Sequence, residues 1–146
     1  MSYLTLDEAK QYLGDLYKSA YYDDDTEEPD DAVLQQDIDT ANALVNSYVK
    51  RAYNFEIVGA ESLSLLKSLT EKILKSKTYE RFDSPDVPES VSANYQDAVH
   101  RLKDLASGKL LLSDSQQDPK ASIFVTNMNG EKFKRPIFTR SRMQGI

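Results

Sequence analysis

The sequence predicts an all-α protein: a four-helix, antiparallel-type bundle followed by an extended C-terminal tail or a short β-hairpin. Apolar residues recur at helical spacing in several long stretches, and the clearest lies within residues 30–53. Steps of four and three residues place on one stripe Leu34, Ile38, Ala41, Val45, Tyr48 and Ala52. Helical periodicity stops after residue 112. We therefore divide the chain into a helical bundle domain at 1–112 and an extended C-terminal arm at 113–146.

Four helices are expected, near residues 5–13, 31–53, 61–81 and 89–107. The first begins with a capping box, in which Thr5 caps the helix and Glu8 reaches back, and Gly14 is expected to end it. Short connections favour antiparallel neighbours in a bundle. The expected core positions are Ile38, Val45, Tyr48, Leu66, Leu69, Ile73, Tyr95 and Leu102.

Residues 19–31 contain a dense run of acidic side chains ahead of the second predicted helix. One hypothesis is a calcium loop, because hard cations bind several carboxylate oxygens. The alternative is a solvated acidic linker. We favour the linker, because the acids are consecutive, no glycine is present and Pro29 interrupts the run, whereas an EF-hand loop alternates its ligands around a central glycine.

The composition excludes several kinds of functional site. The 146 residues fit one domain with its own core, and the absence of cysteine excludes disulfides, thiolate metal sites and cysteine nucleophiles. The single histidine, His100, falls off the apolar stripe and is expected to face solvent. Neither a glycine-rich phosphate loop nor a metal-ligand spacing is present. We expect no enzymatic activity, cofactor or metal, and, because no secretory signal or membrane-spanning run is found, a soluble cytoplasmic protein.

Charge is unevenly distributed along the chain. Residues 1–40 carry 12 acidic and 2 basic side chains, whereas residues 41–146 carry 12 acidic and 16 basic side chains. Four lysines of the third predicted helix could face nucleic acid, but interspersed Glu71 and Glu80 favour a solvated helix face. These lysines are Lys67, Lys72, Lys75 and Lys77.

In the C-terminal arm, the sequence predicts two short strands, at 123–126 and 131–134. The arm ends in a basic segment that also contains apolar residues. An isolated hairpin is marginal in water, so it would lean on the helical body or a neighbouring subunit. Opposite charges at the two ends of the chain suit a heterologous subunit interface, although a tail without a partner is the alternative. The candidate interface residues are Asp23, Asp24, Asp25, Glu27, Glu28, Lys132, Phe133, Lys134, Arg135, Phe138, Arg140, Arg142 and Ile146.

Three segments carry a resemblance to a known family. They are YLTLDEA at 3–9, DTANALVNSYVKRAY at 39–53 and YQDAVHRLKDLASGK at 95–109, and the FTR ending at 138–140 is also similar. Their order and spacing resemble the helical family found in the head–neck gene cluster of Mu-like phages and prophages.

The resemblance implies a head-completion or head–tail connector protein. Similar connectors form a ring beneath the portal, and DNA passes through the ring as cargo. The implied partners are other copies of the chain, the portal, and neck or tail proteins, with a monomer in isolation and a ring on assembly. The implied location is the host cytoplasm and then the virion. The alternative hypothesis is a non-phage helical adaptor or regulatory module that binds other proteins.

Overall fold

The computed structural model describes residues 1–82 and 86–113, and this part of the chain is mostly helical. Its elements in chain order are α1 (Leu6–Leu13), α2 (Asp15–Ala20), β1 (Tyr22–Asp23), β2 (Glu28–Pro29), α3 (Asp31–Ala52), α4 (Ala60–Glu80) and α5 (Glu89–Ala106). The four predicted helices correspond to α1, α3, α4 and α5, and each predicted end lies within one residue of the observed end. The helical class is therefore confirmed.

The core lies between α3, α4 and α5, which pack against one another pairwise. Six of the eight expected core side chains are buried there: Ile38, Val45, Leu66, Leu69, Ile73 and Leu102. Tyr48 and Tyr95 are only half-buried at its edge, so their assignment to the interior was wrong. A tyrosine can pack its ring on the core while its hydroxyl stays near water. At Tyr48 the guanidinium of Arg51 covers the ring, 5.7 Å from its centroid.

The N-terminal region departs from a bundle of four comparable helices. As expected, the Glu8 carboxylate accepts hydrogen bonds from the Thr5 backbone N–H and hydroxyl, both at 3.0 Å. Gly14 ends α1 with a φ of 57°, and α2, which was not predicted, begins at the next residue. Helix α2 has only six residues, which are too few to show a helical period in the sequence. Three long helices therefore form the core, and the short α1 packs on α3 and α4.

The described chain ends at Ser113, against the helical body. Leu112 is buried and its backbone N–H donates to the Tyr53 hydroxyl at 3.0 Å, while the Ser113 and Ser62 hydroxyls lie 2.9 Å apart. The predicted strands at 123–126 and 131–134, and with them the predicted C-terminal arm beyond Ser113, lie outside the described residues. Within the ranges described, no helix is both long enough and apolar enough to cross a bilayer.

Candidate interaction site

The acidic segment forms a tight hairpin rather than a simple linker. We call residues 22–29 the acidic hairpin. Its two strands pair antiparallel, with Tyr22 opposite Pro29 and Asp23 opposite Glu28. The Asp23 carboxylate closes the turn by accepting from the Asp25 N–H at 3.0 Å and the Thr26 hydroxyl at 3.1 Å. Asp side chains commonly bond the backbone two residues on in this way, which explains why a run of acids can fold back on itself.

Two further acids at the base of the hairpin belong to the helical body. Asp30 caps α3, because its carboxylate accepts from the N–H groups of Ala32 at 2.8 Å and Val33 at 3.3 Å. Asp31 accepts from the Lys10 ammonium at 2.7 Å and from the Tyr17 hydroxyl. The Lys10 hydrogen bond, followed by that of Tyr17, lowers the pKa of Asp31. The hairpin is thus tied to α1, α2 and α3 through its base.

The tip of the hairpin carries four exposed carboxylates. Asp24, Asp25, Glu27 and Glu28 are all exposed, and within residues 1–82 and 86–113 none of them forms an ion pair. The same residues contain no group of three or more His, Asp or Glu side chains placed to hold a metal ion. In the turn, the Asp23 oxygens are already hydrogen-bonded by the chain itself. The hairpin therefore presents concentrated negative charge on an ordered turn.

Of the candidate interface residues, the structure places only the acidic group. Asp23 supports the turn, and the other four acids point their charge outward. The eight candidates in the C-terminal arm lie beyond Ser113 and outside the described residues. Their pairing with the hairpin remains a prediction.

Three of the four lysines of α4 contact another helix. Lys67 donates to Glu8 at 2.7 Å, Lys72 donates to Asp97 at 2.9 Å, and the Lys75 ammonium lies 5.6 Å from the Tyr12 ring centroid. These lysines are half-buried, so neither a nucleic-acid surface nor a plain solvated face describes them. The Lys67 hydrogen bond, with smaller contributions from Thr5, lowers the pKa of Glu8 to about 2. His100 is exposed as predicted.

Sequence reasoning missed a polar cluster directly behind the hairpin. Arg81 donates to both carboxylate oxygens of Asp37, at 2.6 and 2.9 Å, and the Tyr21 hydroxyl donates to Asp37 at 2.8 Å. The hydroxyls of Tyr21 and Thr78 lie 3.0 Å apart. A bidentate arginine–carboxylate pair fixes both distance and orientation. The cluster therefore holds the residue that precedes the hairpin against both α3 and the end of α4.

Burial shapes the electrostatics of this cluster. Burial raises the pKa of Tyr21 to about 12, so its hydroxyl stays protonated and available as a donor. Burial also acts to raise the pKa of Asp37, but hydrogen bonds from Arg81 and Tyr21 outweigh it, and the net shift is downward. The only sequence signal was an acid directly before Ile38, on the edge of the apolar stripe. Its partner Arg81 lies 44 residues away, so sequence spacing could not reveal the pair.

The chain is also similar to a described family of proteins. The sequence matches the family described as Bacteriophage Mu, Gp36 over residues 3–125. That span includes every helix and strand described above. A comparison with curated proteins gives no match. The resemblance to a Mu-like phage family is confirmed, and it favours a phage role over a non-phage adaptor. The chain belongs to the Bacteriophage Mu, Gp36 family.

Proposed function

We propose that this phage protein is a structural head–tail connector, which completes the head by assembling as a ring beneath the portal. It acts by binding other proteins and catalyses no reaction. Its partners are neighbouring copies of itself, the portal, and neck or tail proteins, while DNA passes through as cargo. It works in the host cytoplasm during assembly and then in the virion.

The observation that carries the proposal is the acidic hairpin. Its tip carries four exposed carboxylates with no ion-pair partner in the described body, and the same chain ends in a segment rich in basic residues at 132–142. In a ring, one patch on each subunit meets a different patch on the next. A chain with an acidic hairpin and a basic C-terminal arm suits that head-to-tail arrangement, because complementary charges guide register.

The attachment of the hairpin supports the same role. Asp30 and Asp31 bind it to the start of α3, and the Asp37–Arg81 pair holds Tyr21 against α4. The backbone of the hairpin is therefore held in place before a partner arrives, which lowers the ordering cost of binding. Apolar residues of the arm would add buried contact area, since interfaces are usually apolar at the centre and polar at the rim. These residues are Phe133, Ile137, Phe138 and Ile146.

Charge reversal tests the proposed interface. Glu27→Lys with Glu28→Lys in the hairpin should abolish completed virions when the variant gene complements a phage that lacks its own copy. Adding Lys132→Glu and Lys134→Glu to the same chain should restore assembly, because the two patches become complementary again. The measurements are the titre of infectious particles and electron micrographs of heads with and without tails.

A matched control removes charge elsewhere on the body. Neutralising the hairpin tip through Asp24→Asn, Asp25→Asn, Glu27→Gln and Glu28→Gln should reduce assembly. The control takes four other exposed acids: Asp39→Asn, Glu61→Gln, Glu80→Gln and Glu89→Gln. Equal losses in the two variants, or no rescue by the double reversal, would contradict the proposed pairing.

A further inference from the structure

A groove lies beside the last described residues of the chain. It has a volume of about 510 Å³ and runs between the N-terminal residues, the end of α3 and the loop that follows α3. Its apolar lining is formed by Met1, Tyr3, Val49, Tyr53, Phe55 and Ile57. A volume in this range accommodates a few apolar side chains or a small ligand.

Hydrogen bonds hold the walls of the groove in place. The Tyr3 N–H donates to Asn42 at 2.9 Å, and the Tyr3 hydroxyl donates to Asn46 at 2.7 Å. The side-chain amide of Asn46 in turn donates to the Met1 carbonyl at 2.6 Å. On the other wall, the rings of Tyr53 and Phe55 meet edge to face, with centroids 5.4 Å apart. The groove is thus preformed, so an occupant would pay little to shape it.

The last described residues do not line the groove but lie next to it, against Tyr53 on one of its walls and against Ser62 of α4. The Leu112 N–H bonds the hydroxyl of Tyr53, a residue that lines the groove. The first apolar run of the arm, Ile123–Phe124–Val125, begins ten residues after Ser113. At about 3.3 Å per extended residue, ten residues can reach on the order of 33 Å from Ser113. The region matched by the family ends at 125 and therefore includes this run.

We propose that the groove is the docking site for residues 121–126 of the same chain, with the run Ile123–Phe124–Val125 seated against Tyr53, Phe55 and Ile57. A tether this short gives an effective concentration on the order of millimolar, which exceeds that of any free competitor at usual protein concentrations. Charges are balanced on both sides, because Asp118 and Lys120 precede the run and the groove is lined by both Lys50 and Glu56, so apolar contact is what favours the pairing. The docked segment leaves residues 127–146 to reach a partner. Docking of this segment does not require that the protein act as a connector.

Paramagnetic labelling tests the docking in the full-length protein. The chain has no cysteine, so Asn54→Cys provides a single labelling position on the exposed rim of the groove. A nitroxide at this position should remove most of the amide signal intensity of residues 122–126. The control label, at Gln36→Cys, lies about 24 Å from the end of α3 along its axis and should leave these signals largely intact.

Two variants of the arm distinguish specific docking of this run from nonspecific hydrophobic association. Phe124→Ser should restore the signals of residues 122–126 in the Asn54→Cys protein, whereas Phe138→Ser should not. A mixture then separates docking within a chain from docking between chains. It combines spin-labelled protein that is not isotope-enriched with isotope-enriched protein that carries no spin label. Broadening in the mixture would overturn docking within one chain. Equal broadening from both labels, or none from Asn54→Cys, would overturn the site itself.

Discussion

Asp37 is a residue whose charge is used inside the fold. Its side chain is 10% exposed, and it accepts two hydrogen bonds from Arg81 and one from Tyr21. We expect Asp37→Asn to lower the free energy of unfolding by about 1–2 kcal/mol, because Arg81 loses its charged partner. Breaking a fully buried ion pair lowers the free energy of unfolding by more than this. The Arg81 side chain, however, is 34% exposed, so water can hydrate its guanidinium in part after the pair is lost. Urea unfolding measures the change.

Asp39→Asn is the matched control for this prediction. Asp39 is exposed two residues further along α3, and the Gln35 side chain donates to it at 2.9 Å. Its replacement should change the free energy of unfolding by less than about 0.5 kcal/mol, as is usual for surface positions. If the two variants lose the same stability, the polar cluster does not stabilise the fold as described.

Glu8 offers a prediction about ionisation. Its pKa is lowered from 4.5 to about 2 by the Lys67 hydrogen bond first and by Thr5 second. A carboxyl whose pKa is lower in the folded state stabilises the fold above pH 4.5 and loses that contribution as the pH falls toward 2. In Lys67→Met we expect the pKa of Glu8 to rise but to stay below 4.5, because both Thr5 bonds remain. Carboxyl chemical shifts followed by NMR titration give the value.

Lys18→Met separates a local effect of Lys67 from the general loss of a positive charge. Lys18 is exposed at the end of α2 and forms no ion pair with any described residue. Its replacement should leave the pKa of Glu8 unchanged. A pKa in Lys67→Met that matches the unaltered protein would show that Lys67 does not hold the carboxylate.

At the scale of elements, one residue of the acidic hairpin has a backbone conformation that disfavours any side chain. Glu27 has a φ of 57°, in the left-handed region where residues other than glycine lose about 1–2 kcal/mol. Glycine relieves that strain but has greater freedom in the unfolded chain, worth roughly 0.5–1 kcal/mol. We therefore expect Glu27→Gly to leave the free energy of unfolding unchanged or to raise it by up to about 1.5 kcal/mol, as measured by urea unfolding.

Glu28→Gly is the control, since it removes the same charge one residue later. Glu28 lies in β2 opposite Asp23, where the backbone is extended and glycine only adds freedom to the unfolded chain. This variant should be destabilised. The prediction fails if Glu27→Gly is destabilised as much as Glu28→Gly.

Elements with many repeats of one spacing could be predicted, and elements that depend on distant partners could not. The stripe on α3 runs from Leu34 to Ala52, about five turns, so one wrongly placed tyrosine did not affect the helix boundaries. The six residues of α2 carry no such repeat, and the helix is held by Tyr17 bonding Asp31 and Tyr21 bonding Asp37. The hairpin was missed because its turn depends on one Asp23 side chain among seven nearby acids.

The candidate site was predictable only where it depends on local composition rather than on contacts between distant residues. The excess of acid at 23–28 is a property of composition and could be recognised directly. That Asp23 would serve the turn while its neighbours remain exposed depends on hydrogen bonds that only the folded chain reveals. The support behind the hairpin joins Tyr21 to Asp37 and Arg81 across three segments, which no local pattern could indicate.

For the whole molecule, the described residues form a body with its own buried core. The buried side chains lie between Tyr3 and Leu112, and no buried side-chain nitrogen or oxygen in this part of the chain lacks a hydrogen-bond partner. A core that is closed in this way should fold without residues 127–146. The distal arm is then free to serve assembly, where the proposed interface places its basic and apolar residues.

Truncation after Thr126 tests that division of roles. The shortened chain keeps the helical body and the run at 123–125, so its urea unfolding midpoint should equal that of the full chain. It should nevertheless fail to complete heads in the complementation assay, because it lacks every candidate interface residue from Lys132 to Ile146.

Two full-length variants then identify which property of the arm matters: Lys132→Gln with Lys134→Gln removes charge, whereas Phe133→Ser with Phe138→Ser removes apolar area. Charge guides register and buried apolar area supplies affinity, so the second variant should lose assembly more completely than the first. If the truncated protein completes heads as well as the full chain, the distal arm is not the docking element, and the partner of the acidic hairpin must be a basic surface on another protein.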